Sequence, residues 1–453
     1  MLLRFVVSNF LSIREELEFT MFPYTKLKGH TDHIYKTPKV DLLKVAAIYG
    51  ANGSGKSNLI GALHYMQDIV ISKSNRYTNQ PIFFRLTKEY FSQPSRFEIE
   101  FKTNDNYYAY GLEIINNQIE EEWLYSIDPK GAKDQLVFSR KKGENGSIKL
   151  EVDPKYKKTE KEEILIQVYA EEVLTHKIPF IYQVRDKEQY PEIQDAYEWI
   201  AKKLVIFHPE SRFTSLTGQI IKNEQLRKLT NELITQLDTG VNKVKVRTFP
   251  LEEYFGEDGK EAQKEIRDRF DRGEEHITLE SDDGAMSILK NENGQILVNR
   301  LVTEHKGESN WLAEFGLDEE SDGTRRLLNY IPAIERMANE EIVCVVDEIG
   351  RSLHPALLKE FLSFYLNQKT KGQFIFTTHE SNLLDLKLFR QDEIWFVEKD
   401  ETGSTKAYSL SEFKPRYDLD IRKGYLNGRF GAIPFLGNLE DLNWKDAEEE
   451  QRI

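Results

Sequence analysis

Three short stretches, residues 45–49, 341–346 and 373–378, are dominated by apolar and β-branched side chains and show no alternation. Runs of that length predict strands buried on both faces, as in a parallel sheet. Other segments alternate with period two: residues 96–101 and 107–114, then 119–127 and 135–140. They predict an antiparallel sheet beside the buried strands. Residues 2–7 and 16–21 read as an N-terminal hairpin, and 58–69 as a helix directly after the first buried strand. Between 153 and 254 the period turns helical, with amphipathic runs at 159–174, 192–204 and 219–237. Pro179, Pro191, Pro209 and Gly240 interrupt them. No heptad pattern survives those breaks, so a compact helical insertion is expected rather than a coiled-coil arm. Short strands at 277–279, 286–291 and 295–302, with Asn293-Gly294 as a turn, lead back toward the core.

Composition narrows the class. With 453 residues there is room for two or three domains around a large core. No apolar run approaches a membrane span, and the start Met1-Leu2-Leu3-Arg4-Phe5 lacks a signal peptide's layout. The lone Cys344 excludes an internal disulfide and a cysteine metal cluster; a buried structural thiol and a cytoplasmic location are expected. The net charge of −14 argues against broad affinity for nucleic-acid phosphates. Lys141-Lys142 and the lysines of 155–158 read as solvated loop charges, and Tyr107, Tyr108 and Tyr110 as sheet packing rather than base-stacking platforms.

The first buried strand runs into Gly50-Ala51-Asn52-Gly53-Ser54-Gly55-Lys56-Ser57. Gly50, Gly55, Lys56 and Ser57 fit the phosphate-loop spacing. Glycines let the backbone curl its N–H groups toward a polyphosphate at a helix N-terminus. Gly50, Asn52, Gly53, Ser54 and Gly55 are therefore the candidate cradle for ATP. Lys56 is the candidate for the β- and γ-phosphates, and Ser57 for Mg²⁺. The second buried strand ends in Asp347-Glu348, a layout that delivers Asp347 to the Mg²⁺ shell and Glu348 to an attacking water. The third ends at His379. Upstream, Ser321-Asp322-Gly323 opens a helix running to Met337, with Ser321 or Asp322 as its cap. A serine, a glycine and a helix N-terminus there suit a γ-phosphate presented by another subunit. Gln80 has no diagnostic spacing, and Asp418-Leu419-Asp420 reads as a turn rather than a metal-binding pair.

The order phosphate loop, Ser321-Asp322-Gly323, Asp347-Glu348, the 349–355 loop and His379 resembles ABC-type ATPases of the SMC and RecF kind. With residues 389–397 and 426–434, it looks like the stand-alone SMC/RecF-like ATPases of bacterial anti-phage and abortive-infection systems, of the RloA or AbiLi type or the ATPase subunit of the PARIS system. The resemblance makes Ser321 and Gly323 the signature motif, residues 349–355 a D-loop that departs from the transporter sequence, and His379 the switch histidine. It implies an α/β P-loop NTPase fold of ABC type with an antiparallel β subdomain and a compact helical insertion. Lobe one is then 1–155, the insertion 156–300 and lobe two 301–453. Two subunits would sandwich ATP and Mg²⁺, with Lys56, Glu348 and His379 catalytic, as the unit of a homo-oligomer. A separately encoded effector, of a nuclease kind, would be the partner, since the roughly seventy residues after His379 are too few for a nuclease domain. The rival readings are a RecF-like repair clamp on duplex DNA and an adaptor that uses ATP only to hold its shape.

Overall fold

The computed structural model describes residues 1–71, 80–131, 133–208, 219–220, 222–237, 239–281, 284–417 and 419–433. Its strands, in chain order, begin with β1 Leu2–Ser8, β2 Leu17–Thr20, β3 Ile34–Lys36, β4 Asp41–Leu43 and β5 Val45–Tyr49. There follow β6 Ser95–Thr103, β7 Asn106–Ile115, β8 Gln118–Ser126, β9 Gln135–Lys142 and β10 Ile148–Val152. After a helical region come β11 Leu204–Phe207, β12 Val241–Pro250, β13 His276–Ser281, β14 Gly284–Lys290, β15 Ile296–Lys306 and β16 Leu312–Gly316. The last are β17 Val343–Val346, β18 Gln373–Thr378, β19 Ile394–Lys399 and β20 Thr405–Ser409.

The central sheet has the order β11-β17-β18-β5-β19-β20, parallel except for β20 at the edge. Its strands separate two cores by side-chain alternation. Ala46, Ile48, Val343, Val345, Ile375, Trp395 and Val397 face one, and Val45, Ala47, Tyr49, Cys344, Val346, Phe374, Phe376 and Phe396 the other. The first core is closed by the helix Lys56–Val70 and by the antiparallel sheet β10-β9-β8-β7-β6-β1-β2. The second is closed by the helices Asp322–Asn339 and Pro355–Leu366. This is the mixed α/β fold of a P-loop NTPase of ABC type, with an antiparallel subdomain and helical insertions. No helix among the described residues is long and apolar enough to cross a membrane.

The 156–300 region holds more strand than the short returning segments expected at 277–279, 286–291 and 295–302. β11 lies inside it, yet pairs in parallel with β17 and so belongs to the central sheet. Its Leu-Val-Ile-Phe run follows the 192–204 helical pattern without a break, and periodicity alone cannot separate the two. β12 to β16 form a further antiparallel sheet, with the helices Leu251–Phe255 and Lys260–Asp271 on a small core of Leu251, Ile266, Phe270, Ile277, Met286, Ile288 and Val298. β12 carries Lys243, Lys245 and Arg247, and that charge hid its alternation. The expected 219–237 helix is described as Glu224–Gln236. Lys141 and Lys142 also differ from loop charges: they sit on β9, ion-paired with Glu121 and Glu120. Tyr107, Tyr108 and Tyr110 are buried in the sheet.

The antiparallel sheet is tied to the helical region by a buried charge. Glu122 is fully buried, accepts hydrogen bonds from the N–H groups of Phe180 (2.7 Å) and Ile181 (3.1 Å), and accepts one from the Tyr110 hydroxyl (3.1 Å). Arg140 lies 3.8 Å away and donates to the carbonyls of Ile178 and Thr175. Burial raises the Glu122 carboxyl above its ordinary range, and Arg140 with these donors pulls it back. Glu122→Ala strands the Arg140 charge and three donors, so we expect a loss of about 3–5 kcal/mol of stability. The urea midpoint of the sheet's unfolding transition measures it; a shift within error would make this network ornamental.

Candidate active site

β5, β18 and β17 lie side by side, with Tyr49 opposite Thr378 and Phe376 opposite Val346. Their carboxyl ends therefore bring the phosphate loop, His379 and Asp347-Glu348 to one edge of the sheet, where open α/β sheets bind ligands. The loop is closely built. A Cβ on Gly50 would stand 2.3 Å from the Val397 carbonyl oxygen, and one on Gly55 would stand 2.1 Å from Thr405 Oγ1. Gly55 also caps the helix with φ 108°, a left-handed conformation that glycine adopts without strain. Ser54 Oγ is buried with no hydrogen-bond partner among the described residues. An orphaned hydroxyl inside a curled loop at a helix N-terminus fits a phosphate group.

A relay holds this loop from outside. Asn58 Nδ2 donates to Ser12 Oγ (2.6 Å), Ser12 Oγ to Thr405 Oγ1 (2.7 Å), and Thr405 Oγ1 to the Ser54 carbonyl (3.0 Å). The last donor can only be the threonine hydroxyl, which sets the direction of the others. Lys56 is buried, and its ammonium donates to the carbonyls of Gly50 (2.7 Å) and Ala51 (2.9 Å). Desolvation lowers its pKa, while the charges of Asp347 and Glu348 act to raise it. That opposition places both acids within electrostatic reach of the lysine. Ser57 is exposed on the first turn of the same helix. Asn52 and Gly53 are exposed at the loop's tip.

The two acids share one organiser that the sequence did not single out. Thr377, fully buried on β18, donates its hydroxyl to Asp347 Oδ1 (2.5 Å) and accepts from the Glu348 N–H (2.7 Å). Glu348 sits at φ 53°, unusual for a residue with a side chain. The Thr377 hydroxyl thus fixes the strained backbone that aims the glutamate and orients the aspartate beside it. Asp347 and Ser57 carry oxygens of the kind that a hard cation such as Mg²⁺ prefers. Thr377→Val keeps shape and removes both bonds, so kcat for ATP turnover should fall about tenfold to a hundredfold with KM little changed. Thr377→Ser should restore it. An unchanged kcat in the valine variant would remove Thr377 from this role.

Ser321 caps the helix Asp322–Asn339 by accepting the Thr324 N–H at 3.1 Å, and it is exposed. A Cβ on Gly323 would stand 2.6 Å from the Ser352 carbonyl oxygen. Glycine thus lets this helix start press on the loop that follows Glu348, where Ser352 has φ 65°. His379 follows β18 with its side chain half exposed, its Nε2 3.9 Å from Glu380. Gln80 is exposed beside residues outside the described set. Asp420 caps the helix Ile421–Leu426 through the Lys423 N–H, and Asp418 lies outside the described residues, as does the acidic tail.

A family model described as "AAA domain, putative AbiEii toxin, Type IV TA system" matches residues 45–167 and 169–385. Among solved structures, the chain is similar to an Smc head bound to the C-winged helix domain of ScpA, with TM-score 0.41 and 14% identity, covering 91% of this chain and 99% of that one. It is likewise similar to the SMC head domain from Thermotoga maritima (TM-score 0.37, 13% identity, 90% and 98% covered). A third is an Smc head with an extended coiled coil bound to the C-terminal domain of ScpA derived from Pyrococcus furiosus (TM-score 0.39, 14% identity, 94% and 99% covered). No curated protein matches the chain.

Proposed function

We propose, from the premise that this chain belongs to the AAA-domain family described as putative AbiEii toxin, Type IV TA system, that it hydrolyses ATP between paired copies of itself and thereby controls a separate effector. The observation that carries the reading is the convergence of Lys56 with Asp347 and Glu348, held by Thr377, at the ends of adjacent strands. Bound Mg²⁺ would supply charge neutralisation to the phosphates through Ser57 and Asp347. Lys56 binds the β- and γ-phosphates, the loop 50–57 cradles them, Glu348 orients and deprotonates the attacking water, and His379 contacts the γ-phosphate. Ser321, exposed on a helix start, and the half-buried Gly323 beside it face the phosphate held by the partner copy.

In this reading the lobes 1–155 and 301–453 shift with nucleotide state, and the intervening 156–300 region with its added strands carries docking surface for the effector. The setting is cytoplasmic anti-phage defence of the RloA, AbiLi or PARIS kind, with a nuclease as effector. Acidic charge weighs against a repair clamp on duplex DNA. Purified alone, the chain should hydrolyse ATP slowly and cut neither DNA nor RNA. Expressed with its neighbouring genes, it should copurify with a separately encoded partner in a nucleotide-dependent way. Nuclease activity intrinsic to the purified chain would overturn the division of labour.

A further inference from the structure

At the amino-terminal end of β5, opposite its phosphate-loop end, the Lys44 N–H donates to the His33 carbonyl at 2.9 Å. The five residues of β5 separate this place from the loop by about 16 Å of strand rise. Here His30-Thr31-Asp32-His33 forms a 3₁₀ turn over Thr31–His33, entered through His30 in the left-handed conformation (φ 47°, ψ 54°). Residues three apart eclipse in such a turn. The two imidazoles accordingly stack, with ring centroids 4.8 Å apart and planes at 27°.

Each ring has one nitrogen already committed. His30 Nε2 is 2.9 Å from the Leu386 carbonyl oxygen, which can only accept, so Nε2 carries the proton and Nδ1 the lone pair. His33 Nδ1 faces both carboxylate oxygens of buried Glu393, at 3.0 and 3.1 Å, and Glu393 Oε2 also accepts the Arg390 N–H at 2.8 Å. A carboxylate that accepts at both oxygens makes Nδ1 the donor and leaves the lone pair on His33 Nε2. Asp32 Oδ2 lies 3.9 Å from that nitrogen, and one ligand atom from each of His30, Asp32 and His33 falls within 4.8 Å of the others.

We propose that His30, Asp32 and His33 form a binding site for a divalent transition-metal ion of the zinc class. Two imidazoles and one carboxylate suit that class, and a fourth position is left for water. The outer shell is the second, independent sign. Metal-binding histidines donate their other ring nitrogen to a carboxylate or a backbone carbonyl, and these two do one of each. The turn is further clamped to the 386–393 segment: Arg390 donates to the Gly29 carbonyl at 2.5 Å, and Asp392 accepts the Tyr24 N–H at 2.7 Å. Tetrahedral ligands at zinc distances stand about 3.3 Å apart, so closure needs side-chain movement of up to about 1.5 Å. The Asp32 side chain, 66% exposed, is free to make it and leaves a path for the ion. The charges of Asp32 and Glu393 reach the Lys44 ammonium, which lies over the Tyr35 ring, 5.1 Å from the centroid. The site lies away from Lys56 and Glu348, so its role is to fix the turn that packs on the 386–393 segment, independent of the ATP chemistry.

The test is metal binding by the full chain without nucleotide. After chelator treatment and dialysis against Zn²⁺, atomic emission should find about one ion per chain. The same protein loaded with Co²⁺ should show the visible absorption of a tetrahedral N/O site. The double variant His30→Gln/Asp32→Asn should lose the ion and the spectrum while keeping its wild-type circular dichroism. Glu393→Gln should weaken Zn²⁺ affinity about tenfold to a hundredfold through the outer shell. Exposed Asp32→Asn alone, which threatens no folding contact, should weaken it at least tenfold. No stoichiometric Zn²⁺ in the wild type, or wild-type Zn²⁺ binding retained in Asp32→Asn or in the double variant, would overturn the assignment. ATP turnover need not change in any of them, so failure here is separable from failure of the proposed ATPase.

Discussion

Glu348→Gln is expected to bind ATP as the wild type does, to accumulate as an ATP-bound pair of chains, and to turn over about 10²–10⁴-fold more slowly. The reason lies in what the substitution leaves alone. Glutamine keeps the length and shape of the side chain, and the backbone remains anchored by the Thr377 hydroxyl at φ 53°. In the proposed mechanism only the base that takes the water's proton is gone, which raises the barrier by about 2.7–5.5 kcal/mol. Lys56→Ala should behave in the opposite way and abolish nucleotide binding, because a buried ammonium can be replaced by nothing else in the loop. Single-turnover hydrolysis and gel filtration with ATP separate the two. A Glu348→Gln variant with wild-type turnover would dismiss this glutamate as the base.

The second large effect concerns the exposed helix start. Ser321→Arg should leave nucleotide binding by the isolated chain intact and remove pairing and turnover, since a bulky side chain there keeps the partner's phosphate from the helix N-terminus. Losing the cap also costs about 1 kcal/mol, which by itself would not stop catalysis. Ser321→Asp makes the distinction: aspartate caps as well as serine but repels a γ-phosphate, so turnover should still fail while the melting temperature is kept. An equal mixture of Ser321→Arg and Lys56→Ala chains should recover about a quarter of wild-type activity. Half of the pairs are mixed, and one of the two sites in each unites intact halves. No recovery in the mixture would place Ser321 in the same site as the Lys56 of its own chain, or in none.

Legibility in the sequence followed distance along the chain. The phosphate loop with its strand and helix occupies one contiguous stretch, residues 45–70, so its conformation is written in neighbouring residues and glycine spacing. The buried strands β17 and β18 were legible for the same reason: a strand enclosed on both faces needs an apolar run, whatever covers it. Strands with one charged face, such as β12, and a strand merging with a helical pattern, β11, were not, because their identity depends on what packs against them.

The sequence by itself thus determined the buried strands, the phosphate loop with its helix, and the chemical types at their ends. Tertiary structure alone decided which ends meet. The order β17-β18-β5 lets Thr377 join Asp347 to Glu348, though the threonine lies 30 residues from the aspartate. The placement of β19 and β20 on the other side of β5 brings Thr405 to the Ser54 carbonyl across 351 residues, and Glu393 to His33 across 360. Hydrogen bonds act over about 3 Å and carry no periodicity that a chain could display in advance. Such contacts are settled by how sheets stack and cores close, and they turn a set of legible motifs into one positioned site.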